Sequence, residues 1–267
     1  MRAAPIAAVL AVASAGASPG HAQPSQIPPQ VGIPGCADDV QVLASRQSIT
    51  FNSRGRAIRA YLYAPRGTPN GLGMVLLHGG TGFEMNSILF DAHAIQLASR
   101  GYHVLLPAYF DAAAPDPTRR TVTARAWRQV ALDALSELQT RPGVDRGRVA
   151  LWGYSRGAGV AVSAAAVPDS PVRRMILAAG GGSADVSFEG RDVAALVLHA
   201  RSDEAVPVRA SLAMADGLRQ RGVEVEVQAL DFDGHQYDLP TWCSVMSRTR
   251  TFLEQDVSSP DENEDIQ

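Results

Sequence analysis

The chain has 267 residues, 46% of them hydrophobic and 19% charged, which is an ordinary composition for a globular protein. Its formal net charge is −3 and its 24 basic residues, all arginine, are scattered, so the composition argues against a nucleic-acid partner. Beyond the first residues no segment is apolar enough to cross a membrane, and we predict no span in the mature chain.

The first 22 residues have the pattern of a secretory signal peptide. Arg2 precedes the alanine-rich run "AAPIAAVLAVASAGA", which is too short to span a bilayer, and Gly20 and Ala22 suit a cleavage site before Gln23. The alternative is a disordered alanine-rich tail. We predict removal of residues 1–22 and export to the periplasm or the medium.

Strand and helix patterns alternate through one predicted domain, residues 40–256, between an irregular leader (23–39) and an acidic, solvated tail (257–267). The predicted elements, in chain order, are strands 56–65 and 73–80, helix 87–101, strand 102–110, helix 121–141, strand 148–155, helix 156–166, strands 172–180 and 193–200, helix 208–222, strand 223–231 and helix 241–255. Repeated β-α units predict an α/β fold with a mostly parallel, doubly wound sheet. There is no room for a large cap domain.

Ser155 lies where a buried strand gives way to a helix, within "LWGYSRGAG". In such a sheet, ligands gather at the carboxyl ends of the strands. Gly153 and Gly157 permit the sharp turn that exposes a nucleophilic serine. The backbone N–H of Arg156, at the helix start, is available to receive an oxyanion.

A serine nucleophile needs a base and an orienting acid. Asp203 in "RSDEAVP" and His235 in "LDFDGHQYD" each follow a later strand, so the order is serine, acid, histidine. Glu204 is the alternative acid. Three aspartates near His235 are more typical of turn hydrogen bonds, and three other histidines lie in or at the ends of helices and strands: Asp231, Asp233, Asp238, His93, His103 and His199.

The glycines of "VLLHGGTGF" allow a loop backbone to approach a substrate oxygen. We predict that the N–H of Gly80, or alternatively of Thr81, is the second oxyanion donor. His78 is predicted to organise this loop rather than to transfer protons. Three residues near strand ends are weaker candidates for the substrate pocket: Tyr154, Tyr109 and Glu84.

The two cysteines, Cys36 and Cys243, permit one disulfide in an oxidising compartment. The alternative is a pair of separate buried thiols, because the sequence does not give the distance that a bridge requires. Neither cysteine lies in a cluster with the spacing of metal ligands, so no metal site is predicted.

The segments "HGGTGF", "GYHVLLPAYFDA", "GVDRGRVALWGYSRGAGVAV", "LVLHARSDEAVP" and "DGHQYD" resemble the dienelactone hydrolase-like branch of the α/β-hydrolase superfamily, from about Ile58 to Leu253. The resemblance implies an eight-stranded sheet and a cofactor-free Ser-His-Asp mechanism. Typical members carry cysteine where this chain has Ser155, which favours a broader carboxylic ester hydrolase acting on small esters or lactones. A peptidase or acyl-transferase, and an inactive binding domain, are the alternatives.

Overall fold

The computed structural model of the chain describes residues 34–182 and 188–255. The predicted signal peptide, the start of the leader and the acidic tail lie outside the described residues. The described part of the leader, residues 34–39, is irregular and contains a turn. Among the helices that are described, none combines the length and the apolar character needed to cross a membrane.

The described residues form eight strands and five α-helices. The strands are β1 Ala44–Ser53, β2 Arg56–Pro65, β3 Gly71–Leu77, β4 His103–Pro107, β5 Val144–Tyr154, β6 Arg174–Ala178, β7 Ala194–Ser202 and β8 Glu224–Asp233. The helices are α1 Phe83–Ser99, α2 Arg120–Gln139, α3 Arg156–Ala165, α4 Val208–Arg219 and α5 Leu239–Glu254.

The strands form one sheet in the order β1-β2-β4-β3-β5-β6-β7-β8. The pairs β1–β2 and β2–β4 are antiparallel, and the five pairs from β4 across to β8 are parallel. The prediction of a mostly parallel, eight-stranded α/β sheet without a large cap is confirmed. Because β3, β5, β7 and β8 run in the same direction, the loops that follow them meet at one edge of the sheet.

Two hydrophobic clusters cover the two faces of the sheet, as a doubly wound fold requires. One cluster packs residues of α2, α3 and α4 against the sheet, and Trp127, Ala161 and Met214 belong to it. The other packs α1 and α5 against the opposite face, with Phe90 and Trp242 as its large side chains. The central strands are buried on both sides, which explains why β5 and β7 contain continuous apolar runs.

Strand β1 is absent from the predicted elements, and several element ends differ from the prediction. β1 pairs with β2 along its whole length, yet its sequence "ASRQSITFNS" is largely polar because the strand lies at an edge of the sheet. Helix α1 begins at Phe83, four residues before the predicted start. Strand β4 ends at Pro107, and Tyr109–Asp111 form a 3₁₀ turn instead of extending the strand.

The leader is attached to the domain by a disulfide between Cys36 and Cys243 of α5. Beside it, Asp38 forms an ion pair with Arg250 of α5, and its backbone oxygen accepts a hydrogen bond from Arg100 at the end of α1. The leader therefore connects α1 and α5 on one face. A bridge that closes so long a loop stabilises a domain by about 2–5 kcal/mol.

Candidate active site

Ser155 occupies a strained turn between β5 and α3. Its backbone has φ 53° and ψ −115°, a positive φ that a residue with a side chain rarely adopts. A Cβ at Gly153 would lie 2.4 Å from the carbonyl carbon of Gly157, and one at Gly157 would lie 2.1 Å from the Leu77 oxygen. The two glycines are therefore required for α3 to pack this closely on β5 and β3.

The structure brings Ser155, His235 and Asp203 into one hydrogen-bonded line. His235 Nε2 is 2.9 Å from Ser155 Oγ, and His235 Nδ1 is 2.7 Å from Asp203 Oδ2. With the proton on Nδ1, the ring donates to Asp203 and leaves Nε2 free to accept the serine proton. The arrangement has the geometry of a nucleophile, a general base and an orienting acid.

Asp203 is held in place by its own loop. Its side chain is fully buried, and Oδ1 accepts hydrogen bonds from the N–H groups of Ala205 and Val206 at 2.9 and 2.8 Å. His199 Nε2 lies 3.4 Å from Oδ2 and 2.9 Å from the Val206 oxygen. Burial lowers the pKa of His199, so the neutral ring supports the Asp203 loop.

The rival acids point elsewhere. Glu204 is exposed, and Asp231 is an exposed partner of Arg201 at 3.3 Å. Asp238 caps α5, accepting a hydrogen bond from the Thr241 N–H at 3.0 Å. None of them takes the position of Asp203 beside His235.

The glycine loop after β3 lies beside the start of α3. Gly80 and Thr81 are both exposed, and a Cβ at Gly80 would lie 3.4 Å from Arg156 Nε. The loop backbone is fixed by Asn86, whose Oδ1 accepts from the Gly79 N–H at 3.1 Å. Its Nδ2 donates to Thr81 Oγ1 at 2.6 Å and to the Gly82 oxygen at 2.7 Å. Asn86, which the sequence did not single out, therefore shapes the candidate oxyanion loop.

His78 supports this loop from below. Its ring is fully buried and stacks on Tyr109, with centroids 4.0 Å apart, and Nδ1 lies 2.9 Å from the Gly79 oxygen. The Tyr109 hydroxyl donates to the His78 backbone oxygen at 2.7 Å. Burial lowers the pKa of His78 to about 4, so the imidazole is neutral at pH 7.

The three weaker pocket candidates take other places. Tyr109 is fully buried and Tyr154 is 3% exposed, so neither ring offers a surface to a substrate, contrary to the expectation. Both point inwards because aromatic side chains at strand ends complete the packing beneath the loops. Glu84 is exposed and forms an ion pair with Arg59 at 3.1 Å.

A cavity of about 470 Å³ opens between α2 and Arg156, the residue that follows Ser155. Its lining joins apolar side chains to two arginines and one carboxylate: Pro115, Asp116, Pro117, Arg120, Thr123, Ala124, Trp127 and Arg156. The Arg156 guanidinium lies 5.5 Å from the centre of the Trp127 ring, a cation–π contact. All of the lining residues except Arg156 lie between Pro115 and Trp127, so the cavity forms where the start of α3 meets α2. The sequence did not indicate this meeting of two helices.

One group of candidate metal ligands lies far along the chain from Ser155. Cys36, Asp38 and Asp39 place ligand atoms within 4.8 Å of one another. The sulfur of Cys36 is bonded to Cys243, so it is not a thiolate ligand. The exposed carboxylate of Asp38 is paired with Arg250, and the half-buried carboxylate of Asp39 accepts hydrogen bonds from the N–H groups of Gly35 and Cys36 at 2.8 Å.

The fold is of the α/β-hydrolase type. The chain belongs to the dienelactone hydrolase family, whose model matches residues 58–238. Membership of that family makes it a carboxylic ester hydrolase. A search among curated proteins finds no significant match.

Solved structures with this fold have different activities. A dienelactone hydrolase-like promiscuous phosphotriesterase from metagenomic libraries has a TM-score of 0.67 and 19% identity, and the match covers 80% of this chain and 98% of the other. Est1E from Butyrivibrio proteoclasticus has a TM-score of 0.61 and 18% identity, covering 79% and 99%. The acylaminoacyl peptidase of Pyrococcus horikoshii has a TM-score of 0.62 and 16% identity, covering 84% of this chain and 43% of the peptidase.

The buried histidines predict a stability that depends on pH. Burial lowers the pKa of His78 and of His93 to about 4, whereas a histidine in the unfolded chain titrates near about 6.5. The unfolded chain therefore binds more protons as the pH falls, and stability present above about pH 6.5 is lost below it. We expect the free energy of unfolding to fall by about 2 kcal/mol per histidine between pH 7 and pH 5.

Urea unfolding at the two pH values measures this loss. His93→Gln removes one titrating group, so its loss between pH 7 and pH 5 should be smaller than that of the wild type by the same amount. Equal pH dependence in the wild type and His93→Gln would contradict the account.

Proposed function

We propose that the protein is an exported serine hydrolase that cleaves carboxylic esters or lactones through an acyl-enzyme. The observation that carries the proposal is the line from Ser155 Oγ through His235 to Asp203, with separations of 2.9 and 2.7 Å. It lies at the carboxyl edge of the parallel strands, beside a glycine loop. Family membership supports ester hydrolysis but leaves open the residues and the substrate.

In the first half of the reaction, Ser155 Oγ attacks the carbonyl carbon while His235 Nε2 takes the hydroxyl proton. Asp203 accepts the hydrogen bond from Nδ1 and stabilises the charged imidazolium. The imidazolium then protonates the leaving alcohol as the carbon–oxygen bond breaks. When a lactone ring opens, the alcohol stays attached to the acyl group.

In the second half, His235 takes a proton from water as the water attacks the acyl-enzyme. The imidazolium then returns the proton to Ser155 Oγ as the bond between Oγ and the acyl group breaks and the acid leaves. The N–H of Arg156 and the N–H of Gly80 or Thr81 donate hydrogen bonds to the negatively charged carbonyl oxygen. Arg156 is the first residue of α3, where N–H groups have no partner within the helix. One such donor contributes a factor of about 10²–10³ in turnover.

Export is supported by two features of the chain. The first 22 residues match a secretory signal, and the Cys36–Cys243 bridge is of a kind that persists in oxidising compartments. Both features point to the periplasm or the medium as the place where the enzyme works.

A peptidase or an acyl-transferase is the second candidate, because both pass through the same acyl-enzyme. The observation in its favour is the similarity of the fold to the acylaminoacyl peptidase. Rates on short-chain nitrophenyl esters and on peptide amides, measured side by side, distinguish these activities. An inactive binding domain would turn over neither.

A fluorophosphonate probe tests the assignment of Ser155. We expect the probe to label the wild type and to leave Ser155→Ala unlabelled, with ester turnover reduced by at least roughly 10³-fold. Ser163→Ala, a matched change on α3, should keep both labelling and turnover. Equal labelling of the wild type and Ser155→Ala would refute the assignment.

The charges of the cavity beside Arg156 favour a substrate with a negative group. Within the described ranges, no carboxylate lies close enough to Arg156 or Arg120 to form an ion pair, although both arginines line the cavity. Asp116 is occupied by hydrogen bonds from the N–H and hydroxyl of Thr118, at 2.8 and 2.6 Å. The lining of the cavity therefore carries a net positive charge, and one of its two arginines directly follows Ser155 in the chain.

Matched esters test this preference. We expect kcat/KM for mono-4-nitrophenyl glutarate to exceed that for 4-nitrophenyl valerate, which has a methyl group in place of the carboxylate, by roughly tenfold. Arg120→Gln should reduce the ratio, whereas Arg125→Gln, an exposed arginine of α2 outside the cavity, should preserve it. A ratio near unity in the wild type would contradict the preference for an anion.

A further inference from the structure

Tyr154, the residue before Ser155, makes two contacts with His235. The two rings stack, with centroids 5.4 Å apart and planes 22° from parallel. The Tyr154 hydroxyl also donates a hydrogen bond to the backbone oxygen of His235. Burial raises the pKa of Tyr154, so the phenol stays protonated and remains a donor at physiological pH.

The same side chain also touches the glycine loop. A Cβ at Gly79 would lie 3.1 Å from Tyr154 Cδ1, so the loop backbone rests against the edge of the ring. Tyr154 therefore contacts the segment that carries the base and the segment that carries the candidate oxyanion donors. Tyr154 also directly precedes Ser155 in the chain. This one residue therefore adjoins the serine, the histidine loop and the glycine loop.

The Tyr154 ring is itself held firmly. Trp242 lies against it with centroids 5.1 Å apart and planes at 62°, Tyr237 at 5.8 Å and 64°, and Phe90 at 6.2 Å and 82°. These rings come from α5, from the loop before α5 and from α1. A side chain packed among three rings has little freedom to move, so what it contacts is fixed as well.

The loop that carries His235 has backbone anchors on both sides of the histidine. Before it, the Gly234 N–H donates to the Ser202 oxygen, next to Asp203. After it, the His235 carbonyl accepts from Tyr154. The second anchor fixes the peptide plane that follows His235, and with it the direction of the imidazole.

We propose that Tyr154 is a positioning residue, which holds the His235 loop so that Nε2 stays within reach of Ser155 Oγ. The proposal rests on the proposed Ser155 mechanism. A displacement of about 1 Å between reacting groups can cost about 10²-fold in rate. The contribution of Tyr154 should therefore fall on the chemical steps and leave substrate binding nearly unchanged.

Tyr154→Phe keeps the stacked ring and removes only the hydrogen bond. We expect kcat on 4-nitrophenyl acetate to fall by roughly tenfold with KM changed by less than about twofold, and the rate of fluorophosphonate labelling to fall in parallel. Tyr154→Leu, which also removes the ring, should lose more. Titrating active sites keeps misfolded protein out of the measured kcat.

Tyr237→Phe is the matched control. Its hydroxyl is buried in the same aromatic cluster and lies close to the backbone of Ala200 on β7. It should retain the kcat of the wild type. A wild-type kcat in Tyr154→Phe, or an equal loss in both variants, would overturn the proposal.

Ser155→Ala measured alongside separates the two hypotheses. An inactive Ser155→Ala with a fully active Tyr154→Phe overturns the positioning role alone. A fully active Ser155→Ala overturns the proposed mechanism, and the positioning role with it.

Discussion

The close approach of α3 to the sheet is the constraint on which the rest of the site depends. The space between α3 and the strands β3 and β5 has no room for a side chain at Gly153 or Gly157. This approach forces Ser155 into a positive φ and exposes its hydroxyl, and it places the first N–H groups of α3 beside the glycine loop that follows β3. A side chain at either glycine would push the helix away and separate the nucleophile from that loop.

Parallel strands supply the other two members of the line. Asp203 follows β7 and the loop with His235 follows β8, so both reach the sheet edge where Ser155 lies. Loop bonds then set the fine geometry: Asp203 is fixed by two N–H groups of its own loop, and the His235 loop is held before α5 by the cap at Asp238. The disulfide at Cys243 ties α5 to the leader as well.

The sequence predicts the parallel sheet, because buried parallel strands contain continuous apolar runs. It also predicts the order of serine, acid and histidine along the chain, because each of these candidate residues follows such a run. What the sequence did not reveal depends on contacts between distant segments. Tyr154 ends β5 and Tyr109 lies in the turn after β4, but whether such a ring faces a substrate or the core depends on the neighbours it meets. The role of Asn86 depends on its hydrogen bond with the glycine loop, which its position in a helical pattern does not indicate. Strand β1 lacks an apolar run because it lies at an edge of the sheet.

Direct capture of the acyl-enzyme tests the central claim, that Ser155 carries the acyl group. The wild type is mixed briefly with 4-nitrophenyl butyrate, quenched in acid, digested and analysed by mass spectrometry. The account predicts one butyryl group on the peptide that contains Ser155, appearing with the first equivalent of nitrophenol. An acyl group on a different residue, together with unmodified Ser155 during turnover, would contradict it.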